Sequence, residues 1–236
     1  MPLEAPKRLP PLANIKTNPP DLIAIQAAFL GVIFGVSLTL LFQVTFYPFP
    51  LYLLALSVFH FMEFWITAKY NPAKVSADSF LINHSGSYLM AHSAAITECL
   101  IELYLVPGWK TNHPYICLMG GVLMVGGQTL RSLAMKTAGE SFSHIIVTTH
   151  DSHHHKLITD GVYQISRHPS YTGYFWWCIG SQLVLGNPVC FVGFSVVLWR
   201  FFSDRIAYEE DYLIRFFGDK YLQYKKTKTT WIPLIR

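Results

Sequence analysis

Long apolar runs separated by short polar breaks dominate this chain, and the breaks fall at spacings that suit membrane helices. The first run covers residues 22–46 and the second 51–67, with Tyr47-Pro48-Phe49-Pro50 as the turn between them. A third, 80–106, is the most polar, holding His84, His92, Glu98 and Glu102. The fourth covers 114–135. The last, 171–202, is too long for one crossing and too short for two joined by an ordinary loop. Gly186-Asn187-Pro188 lies at its middle, and such a triplet signals a turn, so this run reads as a tight helical hairpin. A helix needs roughly 20 apolar residues to cross a bilayer, and the pattern predicts six transmembrane segments.

Charge orients these segments. With the N-terminus in the cytosol, the far-side loops are 47–50, 107–113 and 186–188, and among them Lys110 is the one Lys or Arg. The positive-inside rule favours that arrangement and places the polar stretches 136–170 and 203–236 in the cytosol. Composition agrees: 52% of residues are hydrophobic and 14% charged, which excludes an ordinary soluble domain. The expected fold class is therefore all-α, a polytopic integral membrane protein of about six helices. Three regions follow: a Pro-rich disordered cytosolic head (1–21) without a signal-peptide pattern, a helical body (22–135), and a C-terminal region (136–236) containing the hairpin and tail. Cys99, Cys117, Cys178 and Cys190 stand singly, with no CxxC pair, and read as small buried hydrophobes rather than a zinc or disulfide framework. No internal repeat is evident, which argues against a secondary transporter.

Candidate chemistry gathers near the hairpin. Arg167-His168-Pro169-Ser170-Tyr171 places Pro at a helix start, where its missing N–H is not needed and the next amides are free to meet an anion. The plain alternative is a helix start with interfacial Arg, His and Tyr anchors; Gly161, Tyr163 and Gly173 at fixed spacing favour the functional reading. At the hairpin's exit, Arg200 and Asp204, and likewise Arg205 and Glu209, lie four apart and can meet on one helix. Charges so close to a membrane segment are functional candidates. His150-Asp151-Ser152-His153-His154-His155 resembles a metal tract but lacks a spaced Cys or Glu, and a solvated loop is the simpler reading, so no metal is assigned. Glu63, His92, Glu98 and Glu102 are expected to pair between helices. The tail from Phe216 mixes aromatics with Lys220, Lys225, Lys226 and Lys228, which fits an interfacial helix on an anionic leaflet better than nucleic-acid binding.

These motifs resemble those of the isoprenylcysteine carboxyl methyltransferase family, in its shorter fungal form. The resemblance runs through Phe59-His60-Phe61-Met62-Glu63, Asp78 to Ser85, Arg131, Thr137-Ala138-Gly139, Phe142-Ser143-His144, the block from Gly161 to Gly173, Asn187-Pro188, Trp199-Arg200-Phe201-Phe202 and Phe216-Phe217-Gly218 with Tyr221 and Tyr224. It implies a cytosolic C-terminal pocket for S-adenosylmethionine. By position, His155, Lys156, Leu157, Ile158 and Tyr163 would line it, His168, Pro169, Ser170 and Tyr171 would form the helix-start contact, and Glu209 would hold the cofactor. Arg205 would face the substrate carboxylate. Val147 stands where the family usually has Gln, and Ala207 and Tyr208 replace acidic residues found in animal relatives.

The implied reaction transfers a methyl group from the sulfonium to the C-terminal carboxylate of an S-prenylated cysteine in processed CaaX proteins such as Ras-like GTPases. That carboxylate, with a pKa near 3.5, is already ionised and needs no base. The expected setting is the endoplasmic reticulum membrane, with the active site towards the cytosol and the prenyl chain in lipid. The rival readings are a phospholipid N-methyltransferase, a nicotinamide-dependent sterol reductase and a non-enzymatic membrane scaffold.

Overall fold

Proline opens most of the long helices. It is tolerated in the first turn, where no intrahelical N–H is required. A computed structural model describes residues 19–83, 85–149 and 156–236, and among them eight α-helices follow one another: α1 (Pro20–Leu40), α2 (Pro48–Tyr70), α3 (Gly86–Leu105), α4 (Pro107–Thr111), α5 (Pro114–Ala138), α6 (Pro169–Leu185), α7 (Pro188–Phe217) and α8 (Asp219–Thr227). The described residues contain no strand, only an isolated parallel bridge between Ser166 and Thr229. The head up to residue 18 and the His-rich tract 150–155 lie outside the described residues.

The expected segments are present with shifted ends. The turn assigned to Tyr47–Pro50 is instead the first turn of α2, because Pro48 and Pro50 suit a helix start better than a loop. The third segment begins later than expected. Residues Ala77–Phe80 form a 3₁₀ turn, Leu81 adopts a left-handed conformation (φ 56°), and the Ser85 hydroxyl accepts the Tyr88 amide to cap α3. The second arm of the hairpin continues fifteen residues beyond 202, making α7 a 30-residue helix about 45 Å long. Three helices, α1, α2 and the α5 segment, are long and apolar enough to cross a membrane by length and composition alone.

The core sits between α2, α5, α6 and α7. Two glycines on α5, Gly120 and Gly127, are seven residues apart, as are Gly173 and Gly180 on the antiparallel α6. A Cβ at Gly127 would stand 2.5 Å from the Gly173 carbonyl oxygen, and one at Gly120 would stand 2.6 Å from that of Gly180. Backbones this close need small residues, as in other lipid-embedded helix pairs. The contact fixes α6 against α5 along most of its length.

Pairing between helices accounts for the buried polar groups, as expected for Glu63, His92, Glu98 and Glu102. Tyr52 Oη lies 2.6 Å from His92 Nδ1. Glu63 binds Arg131 through both oxygens, at 2.5 and 2.8 Å, joining α2 to α5. Lys110 is buried rather than free in a loop. Its Nζ reaches Glu102 Oε2 at 2.6 Å and the Leu185 and Gly186 carbonyls at 3.0 Å, closing the end of α6. Glu98 accepts the amides of Val189 and Cys190, each at 2.7 Å, and so caps the start of α7.

Candidate active site

At the other end of the hairpin, the start of α6 opens onto a cleft enclosing about 700 Å³ of space including its mouth. Its walls come from six places: residues 138–143 after α5, Lys156-Leu157-Ile158, Tyr163, the α6 start, one face of α7 and Tyr221 with Tyr224 of α8. Glu209, Leu213 and Phe217 repeat every four residues, so one stripe of α7 faces inward. Asn71 and Lys74, just past α2, donate to the Phe142 carbonyl at 2.9 and 3.1 Å and hold that wall in place. Gly161 has φ +54°, a conformation that favours glycine, and a Cβ there would also press on Thr137 at 3.1 Å. That turn delivers Tyr163 to the cleft.

The α6 start leaves its first amides outside the helix's own hydrogen bonds. Pro169 has no N–H, and the amides of Ser170 and Tyr171 precede the first backbone bond of the helix, from Thr172 N–H to the His168 carbonyl. Ser170 Oγ receives Arg131 Nη1 at 3.1 Å, which ties the cleft to the buried Glu63–Arg131 pair. Arg167 is 5% exposed, and its Nε donates to Glu210 Oε1 at 2.5 Å and its Nη1 to the Lys228 carbonyl at 2.8 Å. Its Nη2 is buried and has no hydrogen-bond partner among the described residues.

Glu210 organises this side. Besides Arg167, it meets His168 Nε2 at 3.0 Å and Lys225 Nζ at 2.6 Å. Burial alone would raise its pKa, but hydrogen bonding and charge from His168, then Lys225 and Arg167, hold the carboxyl well below the usual range. Burial pushes the Tyr224 hydroxyl up to about 12 against the opposing charge of Arg167, and raises Tyr163 as well, with Glu209 adding to the effect. Both phenols are therefore neutral donors at physiological pH.

On the opposite side, Tyr171 relays between two charges. Its hydroxyl donates to Glu209 Oε2 at 2.5 Å and accepts Arg205 Nε at 2.9 Å. Arg205 also donates through Nη2 to the His144 carbonyl at 2.6 Å and lies over the Tyr171 and Phe201 rings. The arrangement offers a cationic anchor at one wall, an acidic one at another, and a guanidinium just behind a shared tyrosine.

A search of known proteins matches this architecture and its sequence. The model of the isoprenylcysteine carboxyl methyltransferase family matches residues 119–215. The protein-S-isoprenylcysteine O-methyltransferase of Saccharomyces cerevisiae is 48% identical over 227 residues, covering 94% of this chain and 95% of that protein. This chain belongs to the isoprenylcysteine carboxyl methyltransferase family. The human protein-S-isoprenylcysteine O-methyltransferase is 44% identical over 215 residues, covering 91% of this chain and 75% of its own. A solved structure of the eukaryotic intramembrane Ras methyltransferase of the same family superposes with a TM-score of 0.87 at 39% identity, covering 91% of this chain and 77% of that one.

Within this family member, Lys156, Leu157, Ile158, Tyr163, His168, Pro169, Ser170, Tyr171 and Glu209 all line the one cleft. His155 lies outside the described residues. Arg205 touches the cleft through Tyr171 and is not itself among its lining residues. The ion pair expected between Arg205 and Glu209 is replaced by that relay, because the tyrosine from α6 stands between them. Ala138, Ser141, Phe142, Ser143, Leu213, Phe217, Tyr221 and Tyr224 also line the cleft, beyond the residues expected from the sequence. Several stand in family signatures, and Leu213 and Phe217 follow Glu209 at helical spacing. In the tail, Tyr221 and Tyr224 are buried and line the cleft, so the short α8 turns these two rings inward.

Proposed function

We propose that this chain transfers a methyl group from S-adenosylmethionine to the C-terminal carboxylate of an S-prenylated cysteine in processed CaaX proteins, Ras-like GTPases among them. The observation that supports it most is the cleft itself, a space of ligand size lined together by Arg167, the first residues of α6 and Glu209. That donor set fits a molecule with an α-amino acid end. Arg167 and the Ser170 and Tyr171 amides would take its carboxylate, Glu209 its ammonium group, and Leu157, Ile158, Leu213 and Phe217 its flat base. When bound, S-adenosylmethionine supplies an electrophilic methyl group on a positively charged sulfur.

The protein's remaining tasks are orientation and drying. Arg205 holds the substrate carboxylate, and Tyr171 fixes the guanidinium relative to the cleft. Because the carboxylate is already ionised, no side chain has to remove a proton. Good positioning alone contributes roughly 7–11 kcal/mol to such a step. Exclusion of water raises the reactivity of the carboxylate further.

This reading includes six membrane crossings, with α3, α6 and the first part of α7 joining the three apolar helices, and a cleft facing the cytosol at the endoplasmic reticulum. The near-complete confinement of Lys and Arg to one side supports the orientation. The prenyl group would remain among lipid and the donor would arrive from water. The test is transfer of labelled methyl from S-adenosylmethionine to N-acetyl-S-farnesylcysteine in membranes containing only this chain. Transfer to phosphatidylethanolamine with none to the prenylcysteine would replace the reading.

A further inference from the structure

Beyond α8 the chain has neither helix nor strand, yet it is held at several points. Thr230, Ile232 and Ile235 are buried, at 0%, 3% and 9% exposure, while Trp231 and Leu234 between them are 60% and 88% exposed. Trp231 and Leu234 have φ of 58° and 63°, the left-handed region that side-chain-bearing residues seldom adopt. Such backbone persists only where its surroundings over-determine it. Here three indoles do so: Trp176 Nε1 donates to the Trp231 carbonyl at 3.0 Å, Trp199 Nε1 to that of Pro233 at 2.9 Å, and Trp231 Nε1 to that of Ile165 at 2.9 Å. The Thr230 hydroxyl closes the loop on the Ile235 carbonyl at 2.7 Å.

The inner edge of this strap grips the α6 start on both sides of Pro169. The Arg167 amide donates to the Thr229 carbonyl at 3.0 Å, and the Ser166 hydroxyl donates to the Thr230 carbonyl at 3.1 Å. The Thr172 hydroxyl, one turn into the helix, donates to that same Thr230 carbonyl. Ser166 Oγ in turn receives the His168 amide at 3.3 Å. None of residues 229–236 lines the cleft, so any influence on it passes through Arg167 and His168.

The structure assigns to residues 229–236 the role of a clamp that positions the α6 start for the methyl donor, with Trp231 and Leu234 seated in the lipid interface. Trp176 of the hairpin binds Trp231 and Trp199 binds Pro233, and tryptophan favours the level of the headgroups, where a polar handle and an apolar ring are both served. The inference rests on the reading of the cleft as a donor site. Thr230 is then a positioning residue.

Full-length protein in liposomes, assayed with both substrates varied, tests it. Thr230→Val removes the closing hydroxyl, and Thr172→Val cuts the latch from the α6 side while keeping a β-branched side chain. Each is expected to raise the KM for S-adenosylmethionine about 3–10-fold, the worth of one or two hydrogen bonds, with the KM for N-acetyl-S-farnesylcysteine within about twofold of wild type. Thr230→Ser restores the donor KM, and the double variant Trp231→Ser, Leu234→Ser raises it. An unchanged donor KM in both valine variants, an equal rise in both KM values, or loss of folded protein without rescue by Thr230→Ser would overturn the clamp. Failure of the wild-type chain to methylate would instead remove the reading of the cleft on which it rests.

Discussion

The two arms of the hairpin begin alike and are treated in opposite ways. α6 starts His168-Pro169 and α7 starts Asn187-Pro188, so each presents first-turn amides and the positive end of a helix dipole. At α7 the protein supplies its own anion: Glu98 reaches across from α3 and takes the Val189 and Cys190 amides. Asn187 is fixed there as well, donating to the Ala95 carbonyl at 2.8 Å and accepting Lys110 at 2.8 Å. At α6 no carboxylate among the described residues takes the corresponding place. The nearest, Glu209 and Glu210, engage Tyr171, His168, Arg167 and Lys225 instead. One end is sealed by the fold, and the other is the one we propose receives a ligand. A helix start therefore marks a site only when its anion is missing, and sequence shows the start but not the absence.

The largest break in the comparison is expected at the open end. Arg205→Ala should reduce ester formation by about three orders of magnitude, roughly 4 kcal/mol at 1.36 kcal/mol per tenfold, because the substrate carboxylate loses its aim. Donor affinity, measured by calorimetry with S-adenosylhomocysteine, should stay within about twofold. Glu209→Ala should show the reverse order, with donor affinity falling by about 10–100-fold, the value of one charge-assisted contact. Equal losses in both measurements for both variants would mean that the cleft does not divide its labour between donor and substrate.

Much of this was legible in the sequence, and the exceptions have physical reasons. The five apolar runs, the turn at Gly186-Asn187-Pro188 and the α6 start could be read from hydrophobic patterning and proline placement, since those signals are local. Likewise Glu209, a charge on the membrane-proximal end of a helix, declared itself by its cost. The glycine pairs 120/127 and 173/180 had a matching seven-residue spacing that was open to inspection, but matching them requires knowing that α5 and α6 are neighbours. Tyr171 as a relay, Glu98 as a cap and Phe142 as a cleft wall all depend on partners 34 to 92 residues away. No local pattern encodes such a distance.

A smaller and pH-dependent effect should follow at Glu210, which maintains the open end without lining it. Glu210→Gln leaves Arg167, His168 and Lys225 around a neutral amide, and breaking a buried pair of this kind costs about 3 kcal/mol. The sign follows from the depressed carboxyl pKa. A group held below its unfolded value near 4.3 stabilises the fold fully above that pH and loses its contribution as pH falls towards the folded value. The gap in thermal stability between wild type and Glu210→Gln should thus be constant from about pH 6 to 8 and narrow only below about pH 4. A gap that already closes near pH 6.5 would overturn the assignment to the Glu210 carboxyl.

The smallest expected change lies at the sealed end and serves as the control for the others. Glu98→Gln keeps one acceptor oxygen but turns an amide N–H₂ towards amides that need acceptors, and removes the charge that complements the α7 dipole. The loss should be about 1–2 kcal/mol, within the range for a helix cap and a charged hydrogen bond. Since Glu98 is at the far end of the hairpin from the cleft, KM for both substrates should not move, and the melting temperature alone should fall. If Glu98→Gln instead weakened donor binding, the two helix starts would be coupled through the rigid glycine-packed length of α6. Introducing Gly180→Ala beside it would then deepen the defect, whereas independent ends predict simple addition of the two stability losses.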